Sequence, residues 1–194
     1  MAAWAQTCAE AANAGHLDVL AWARETGCPW DGRVCARAAW GGWLEVLRWA
    51  RSHGCPWDGS VCTNAARKGN THILEWTVDN GLPLDESLCA AAAEGGHLET
   101  LKWLRERGCP WGPETCAAAA TGGHMAVLKW ARENGCPWGR ATFIGAVQGG
   151  HLSILKWGRR NGCSWGKSWQ DMVDASKHAE VSRWLKENGC PEEQ

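Results

Sequence analysis

The 194-residue sequence has no apolar run approaching the roughly 18 residues that a bilayer-spanning helix needs. Its opening, Met1 to Glu10, lacks a basic stretch followed by an apolar core, so no export signal is read there. Charge of one sign is also missing. The 20 basic and 21 acidic residues leave a net charge of -1, which gives no global attraction to nucleic acid or an anionic membrane. Catalytic signatures are absent in the same way: there is no Walker loop, no closely paired zinc motif, no Gly-x-Ser-x-Gly elbow and no acid-base pair at fixed spacing. These absences lead to the expectation of a soluble, intracellular, cytoplasmic protein that is not an enzyme, uses no cofactor or metal and does not enter a membrane.

What the sequence does have is a period. The glycine of a Gly-Cys-Pro-Trp signature falls at Gly27, Gly54, Gly81, Gly108, Gly135, Gly162 and Gly189, each step 27 residues without insertion or deletion. A fixed period of this size marks stacked supersecondary units, each too small to bury its own apolar face. Seven units are expected, at 1–26, 27–53, 54–80, 81–107, 108–134, 135–161 and 162–188, with a tail at 189–194. They form a single domain. In the last unit the pattern decays to Val173-Asp174 and Ser176-Lys177, with Glu192 beyond it, as suits a cap.

Each unit reads as two helices. Asp31, Asp58 and Asp85 are N-cap residues for the first, or Gly112 precedes Pro113 at its first helical position. The first helix carries Ala38-Ala39, Ala65-Ala66, Ala92-Ala93 or Ala119-Ala120, small enough to admit a close neighbour, and ends at paired glycines such as Gly95-Gly96. It is expected to be the shorter helix and to line a concave side. The second helix carries Trp22, Trp49, Trp76, Trp103, Trp130, Trp157 and Trp184 at one position, expected to form a buried indole column rather than a platform for sugars or bases. A second series, Trp30, Trp57, Trp111, Trp138 and Trp165, is interrupted by Leu84.

The eleven cysteines also follow the period. Cys8, Cys35, Cys62, Cys89 and Cys116 form one series and Cys28, Cys55, Cys109, Cys136, Cys163 and Cys190 the other. With no export signal and an odd number, they read as small buried hydrophobes, not as disulfides. A zinc site joining Cys28, Cys35 and His16 fails on spacing, because structural zinc motifs pair cysteines two to four residues apart. His16, His97, His124, His151 and His178 recur without a partner nucleophile or carboxylate, and a helix-start role with a hydrogen bond across the turn is expected.

GlyHisLeuGluThrLeuLysTrpLeuArgGluArgGlyCysProTrp, residues 96–111, together with the Ala pair before the Gly-His turn, resembles the ankyrin-repeat motif. The resemblance covers essentially the whole chain. It is closest to short tryptophan-rich arrays with a Gly-Cys-Pro-Trp signature in proteins of unicellular algae, oomycetes and large DNA viruses. An ankyrin unit has 33 residues. The six missing here fall where that family has its β-hairpin finger and its Thr-Pro-Leu-His start. The resemblance implies an all-α solenoid of about seven 27-residue helix-turn-helix repeats with reduced or absent fingers, and a role in binding proteins.

First-helix positions that differ from unit to unit point to the same role: Arg37 and Trp40, Asn64 and Arg67, Ala91 and Glu94, Ala118 and Thr121, Gly145 and Gln148. Trp43 joins them, since it replaces a repeated histidine. The expected partner-binding set is Arg37, Trp40, Trp43, Asn64, Arg67, Glu94, Thr121 and Gln148, on a monomer that binds an unidentified protein. The alternative is electrostatic binding of nucleic acid or a phosphorylated ligand by two outer basic rows. These are Arg24, Arg51, Arg105, Arg132, Arg159 and Lys186, and Arg48, Lys102, Lys129, Lys156 and Arg183. Lys102 with Glu106 and Lys129 with Glu133 have the spacing of intrahelical ion pairs, which would make these rows an ordinary solvated face.

Overall fold

A computed structural model describes residues 2–164 and 177–188. Val173-Asp174, Ser176, Glu192 and the tail at 189–194, on which the expected C-terminal cap rests, lie outside the described residues. The described chain is helical, with no strand: α1 (Ala2–Ala14), α2 (Leu17–Glu25), α3 (Gly32–Gly41), α4 (Leu44–Ser52), α5 (Ser60–Lys68), α6 (Thr71–Asp79), α7 (Glu86–Glu94), α8 (Leu98–Glu106), α9 (Pro113–Thr121), α10 (Met125–Glu133), α11 (Arg140–Gly149), α12 (Leu152–Arg160) and α13 (Ala179–Asn188). Among the described residues no helix is long and apolar enough to cross a membrane.

Helix starts follow local chemistry. Asp31 and Asp85 cap α3 and α7, each accepting from the backbone N–H two residues on, at 3.0 and 2.8 Å. Asp58 makes the same bond to the Ser60 N–H at 2.9 Å, but it stands one residue before the cap of α5, which is Gly59. Pro113 opens α9, where its missing N–H costs nothing.

The first helices α1, α3, α5, α7, α9 and α11 pack directly against one another in chain order, whereas consecutive second helices among α2 to α12 stand further apart. Side-chain size is the reason. Ala38, Ala39, Ala65, Ala66, Ala92, Ala93, Ala119 and Ala120 are wholly buried between first helices, while Trp49, Trp76, Trp103, Trp130 and Trp157 project from the second. Helix length is not: α7 and α8, like α9 and α10, have nine residues each, so the first helices are not the shorter ones.

The core is aliphatic and sulfur-rich. Leu20, Leu47, Leu74, Leu101, Leu128 and Leu155 fill its centre with Cys35, Cys89 and Cys116. Among the described residues the tryptophans of the second helices and of the Trp30 series are not in it. They lie half-buried against its outer edge, and Trp22 is 55% exposed, because the leucines two residues earlier already occupy the interior. Val19 is 40% exposed, yet Val46, Ile73, Val127, Ile154 and Val181 at the same position are 0–3% exposed, since each of those lies under the preceding helix pair.

Candidate functional site

At the turns that carry Trp43, His124, His151 and His178, one side chain reaches back to the pair before it. The Trp43 indole N–H donates to the Asn13 carbonyl at 2.9 Å. His124 Nε2 lies 2.9 Å from the Glu94 carbonyl, His151 Nε2 3.0 Å from that of Thr121, and His178 Nε2 3.1 Å from that of Gln148. Each span is 30 residues, so the imidazoles satisfy the otherwise orphaned carbonyls at the end of the preceding first helix. None caps its own helix. The expected bond across the turn is therefore a bond across the junction between pairs.

This seating explains the paired glycines. Gly96 holds φ +78°, and a Cβ there would run into the His124 ring as well. Gly122 has ordinary helical φ, so its requirement is purely steric: a Cβ would lie 2.5 Å from His124 Cδ2 and 2.6 Å from the Glu94 carbonyl oxygen.

Between the two ends of the array, the third pair departs from this rule. Where Gly41, Gly95, Gly122 and Gly149 stand, the third pair has Lys68, and two residues on it has Asn70 in place of a ring. The two changes fit together. Lys68 brings a Cβ where the neighbouring pairs have glycine, and the shorter Asn70 donates from Nδ2 to the Ala39 carbonyl at 2.8 Å. Freed from the turn, Lys68 is exposed and places Nζ over the Trp40 ring, 4.1 Å from its centroid.

The sequence-derived site residues divide into three groups. Trp40, half-buried, meets Lys68, and Arg67 donates from Nη2 and Nε to Glu94 Oε2 at 2.8 and 3.1 Å, joining α5 to α7. Arg37, one turn before Trp40 on α3, is exposed. Thr121 and Gln148 are exposed further along the same row, Thr121 bonding the Ala117 carbonyl at 2.9 Å. Trp43 and Asn64 serve the stack: Trp43 is the junction ring just described, and Asn64 donates to the Ala36 carbonyl at 3.1 Å. Two further positions in the Asn64 row are not solvent-facing as expected. Ala91 and Gly145 are buried, and a Cβ on Gly145 would meet the Ala117 carbonyl at 2.6 Å. Lys68 escaped the sequence reading, although the joint change at 68 and 70 marks it.

The thiols pair across four of the helix pairs. Cys8 and Cys28 have sulfurs 2.8 Å apart, and Cys35 with Cys55, Cys89 with Cys109 and Cys116 with Cys136 are hydrogen-bonded likewise. Burial, then the bond to Cys28, pushes the Cys8 thiol up to about 12. The bond to the partner thiol, then burial, pushes Cys35, Cys89 and Cys116 up strongly. Cys62 has no such partner, because Leu82 replaces the cysteine, and it bonds Thr77 Oγ1 at 3.2 Å instead. Among the described residues no group of three or more His, Cys, Asp or Glu could hold a metal ion.

On the outer face, Trp30, Trp57, Trp111 and Trp138 each pack against the tryptophan of the next second helix, with ring centroids 5.2–5.8 Å apart. Arg24, Arg51, Arg105 and Arg132 lie over those rings at 4.3–4.7 Å, and the last three also donate to the carbonyls of Cys55, Cys109 and Cys136. Most of this basic row is thus bound internally. Where Leu84 breaks the series, Trp103 instead donates to Glu75 at 3.0 Å and lies under Arg107. In the other row Lys102 pairs with Glu99 at 2.8 Å, one turn back, and not with Glu106. Between neighbouring pairs lie shallow clefts of about 410 and 430 Å³, the first lined by Lys129, Arg132, Trp138 and Trp157 among others.

No protein-family profile matches the chain, and no curated protein matches it. Among solved structures it is similar to the ankyrin repeat domain of human ASB11, with TM-score 0.63 and 17% identity over 96% of this chain and 99% of that one. The chain therefore has the ankyrin-repeat fold, an all-helical solenoid; among its described residues the fingers are absent.

Proposed function

We propose that the array is a non-enzymatic interaction scaffold, an intracellular, cytoplasmic monomer that holds a partner protein against its first helices. One observation carries this reading: the row Trp40, Arg67, Glu94, Thr121 and Gln148 stays accessible and varied, while most other repeated side chains serve packing or junctions. Close spacing of the first helices and wide spacing of the second bend the array toward this row, which makes it the concave side, where a ligand gains most contact area. The ankyrin-repeat fold supports the same reading by analogy. Arg37, Trp43 and Asn64 flank the row; Trp40 is its apolar anchor.

The rival reading, an electrostatic ligand on the outer basic rows, is second because Arg51, Arg105 and Arg132 already bond carbonyls and cover rings. Purification of the partner from the native cell, followed by calorimetric titration, separates the two. Trp40→Ala should weaken binding by about 2 kcal/mol, the scale of an aromatic anchor. Its stability should fall by no more than about 1 kcal/mol, the worth of the Lys68 contact. Binding that survives Trp40→Ala and is lost on substitution of Arg105, Arg132 and Arg159 would place the partner on the outer face.

A further inference from the structure

The third helix pair is the place where the array breaks its own construction rule, and the break delivers a cation to the face of the first helices. Lys68 stands where Gly41, Gly95, Gly122 and Gly149 stand elsewhere, and Asn70 stands where those pairs carry a ring. A local rule broken together with its compensation is what a recognition site imposes on a scaffold.

Charges along this face are zoned. On α1, Glu10 is exposed. On α3 and α5, Arg37 is exposed without an ion pair, and Lys68 has the neutral Trp40 ring beneath it and no carboxylate. Arg67 and Glu94 neutralise each other. Beyond them Thr121 and Gln148 are uncharged. Two cations without counter-ions therefore bracket one half-buried indole. An ammonium resting on an indole face keeps its donors on the far side, so a carboxylate can bind it without breaking the π contact.

We propose that the docking element is an acidic peptide segment, its carboxylates bound by Arg37 and Lys68 and an apolar side chain between them packed on Trp40. This rests on the reading of the first-helix row as the docking surface and adds the partner's chemistry. The Arg67–Glu94 pair, neutral overall, bounds the site, so the acidic residues lie over α3 and α5.

The test is selection of binders from a random peptide display library on the full chain, followed by titration of the selected synthetic peptide. Selected sequences should combine Asp or Glu with a neighbouring aromatic or aliphatic residue. Lys68→Gly restores the residue that four other pairs use at that turn, so the chain still folds, which helical circular dichroism checks. It should weaken the peptide at least tenfold, as should Arg37→Gln, and added salt should weaken it further. Ser153→Ala, at an exposed position on the second helix α12, should leave affinity unchanged. Peptides lost on Trp40→Ala but indifferent to Lys68→Gly and Arg37→Gln would keep the face and overturn the acidic partner. Peptides indifferent to all three substitutions would overturn both readings. A library that yields no binder, or one whose binders carry no acidic bias, also overturns the proposal, as does a single-stranded oligonucleotide that displaces the selected peptide at equal concentration.

Discussion

The coupling between Lys68 and Asn70 can be measured with a double-mutant cycle. Asn70→His alone places an imidazole beside a residue that has a Cβ. In the other pairs the ring carbon Cδ2 sits 2.6, 2.5 and 2.5 Å from where a Cβ on Gly95, Gly122 and Gly149 would be, so something must move by about 1 Å. Overpacking of that kind costs about 1–3 kcal/mol. The lost bond from Asn70 to the Ala39 carbonyl adds about 1 kcal/mol. Lys68→Gly alone loses helix propensity and the indole contact, about 1–2 kcal/mol together. The double variant removes the overlap and lets the new imidazole donate to the Trp40 carbonyl, as His124 does to Glu94. Its stability should exceed the sum of the single changes by about 1–3 kcal/mol. Urea unfolding with unchanged slope reads the difference. Single changes that add to within about 0.5 kcal/mol would refute the junction geometry.

Other expectations use the same contacts. Val46→Ala should cost about 2 kcal/mol in urea unfolding, and Val19→Ala, at the same position but 40% exposed, well under half of that; equal costs would contradict burial by the preceding pair. The buried Cys8 thiol holds its proton more tightly folded than unfolded, so its contribution is full below about pH 9 and is lost as pH rises toward about 12. Its titration should remove about 1.4 kcal/mol per pH unit in that window. Stability measured from pH 8 to 11 that stays flat, or a slope unchanged by Cys8→Ala, would count against this. Arg132→Ala should lower stability by about 1–2 kcal/mol through its ring and carbonyl contacts and leave partner binding intact; a loss of binding without loss of stability would reverse the assignment of the outer row.

The helix pairs, their alanine-lined contacts and the turn glycines were legible in the sequence, because each is a local requirement repeated at a fixed interval. Depth was not. A 27-residue interval repeats an edge position as faithfully as a central one, so Trp49 and Trp130 read as core although Leu47 and Leu128 take the centre. Asn64 and Ala91 read as varied surface for a related reason: at a contact between first helices, variation reflects how each neighbour is met, by a hydrogen bond from Asn64 or by close approach at Ala91. The histidines pointed to a turn, but their acceptors lie 30 residues back, beyond what a motif confined to one repeat can express. Lys68 lacked a signal of its own; only its pairing with Asn70 carries one.

The junction ring makes most of these modules interchangeable parts. Excising residues 108–134 would bring His151 to Gly96 and the Glu94 carbonyl, the seat that His124 now fills, so the seam needs no new interface. Excising residues 54–80 is a different operation. It would strip Glu94 of Arg67 and Trp40 of Lys68, contacts that belong to one module and its neighbours alone. Duplication and loss can therefore lengthen or shorten the chain freely on the side of α9 to α12, while the order of modules around Lys68 is fixed like a word rather than counted like a stack.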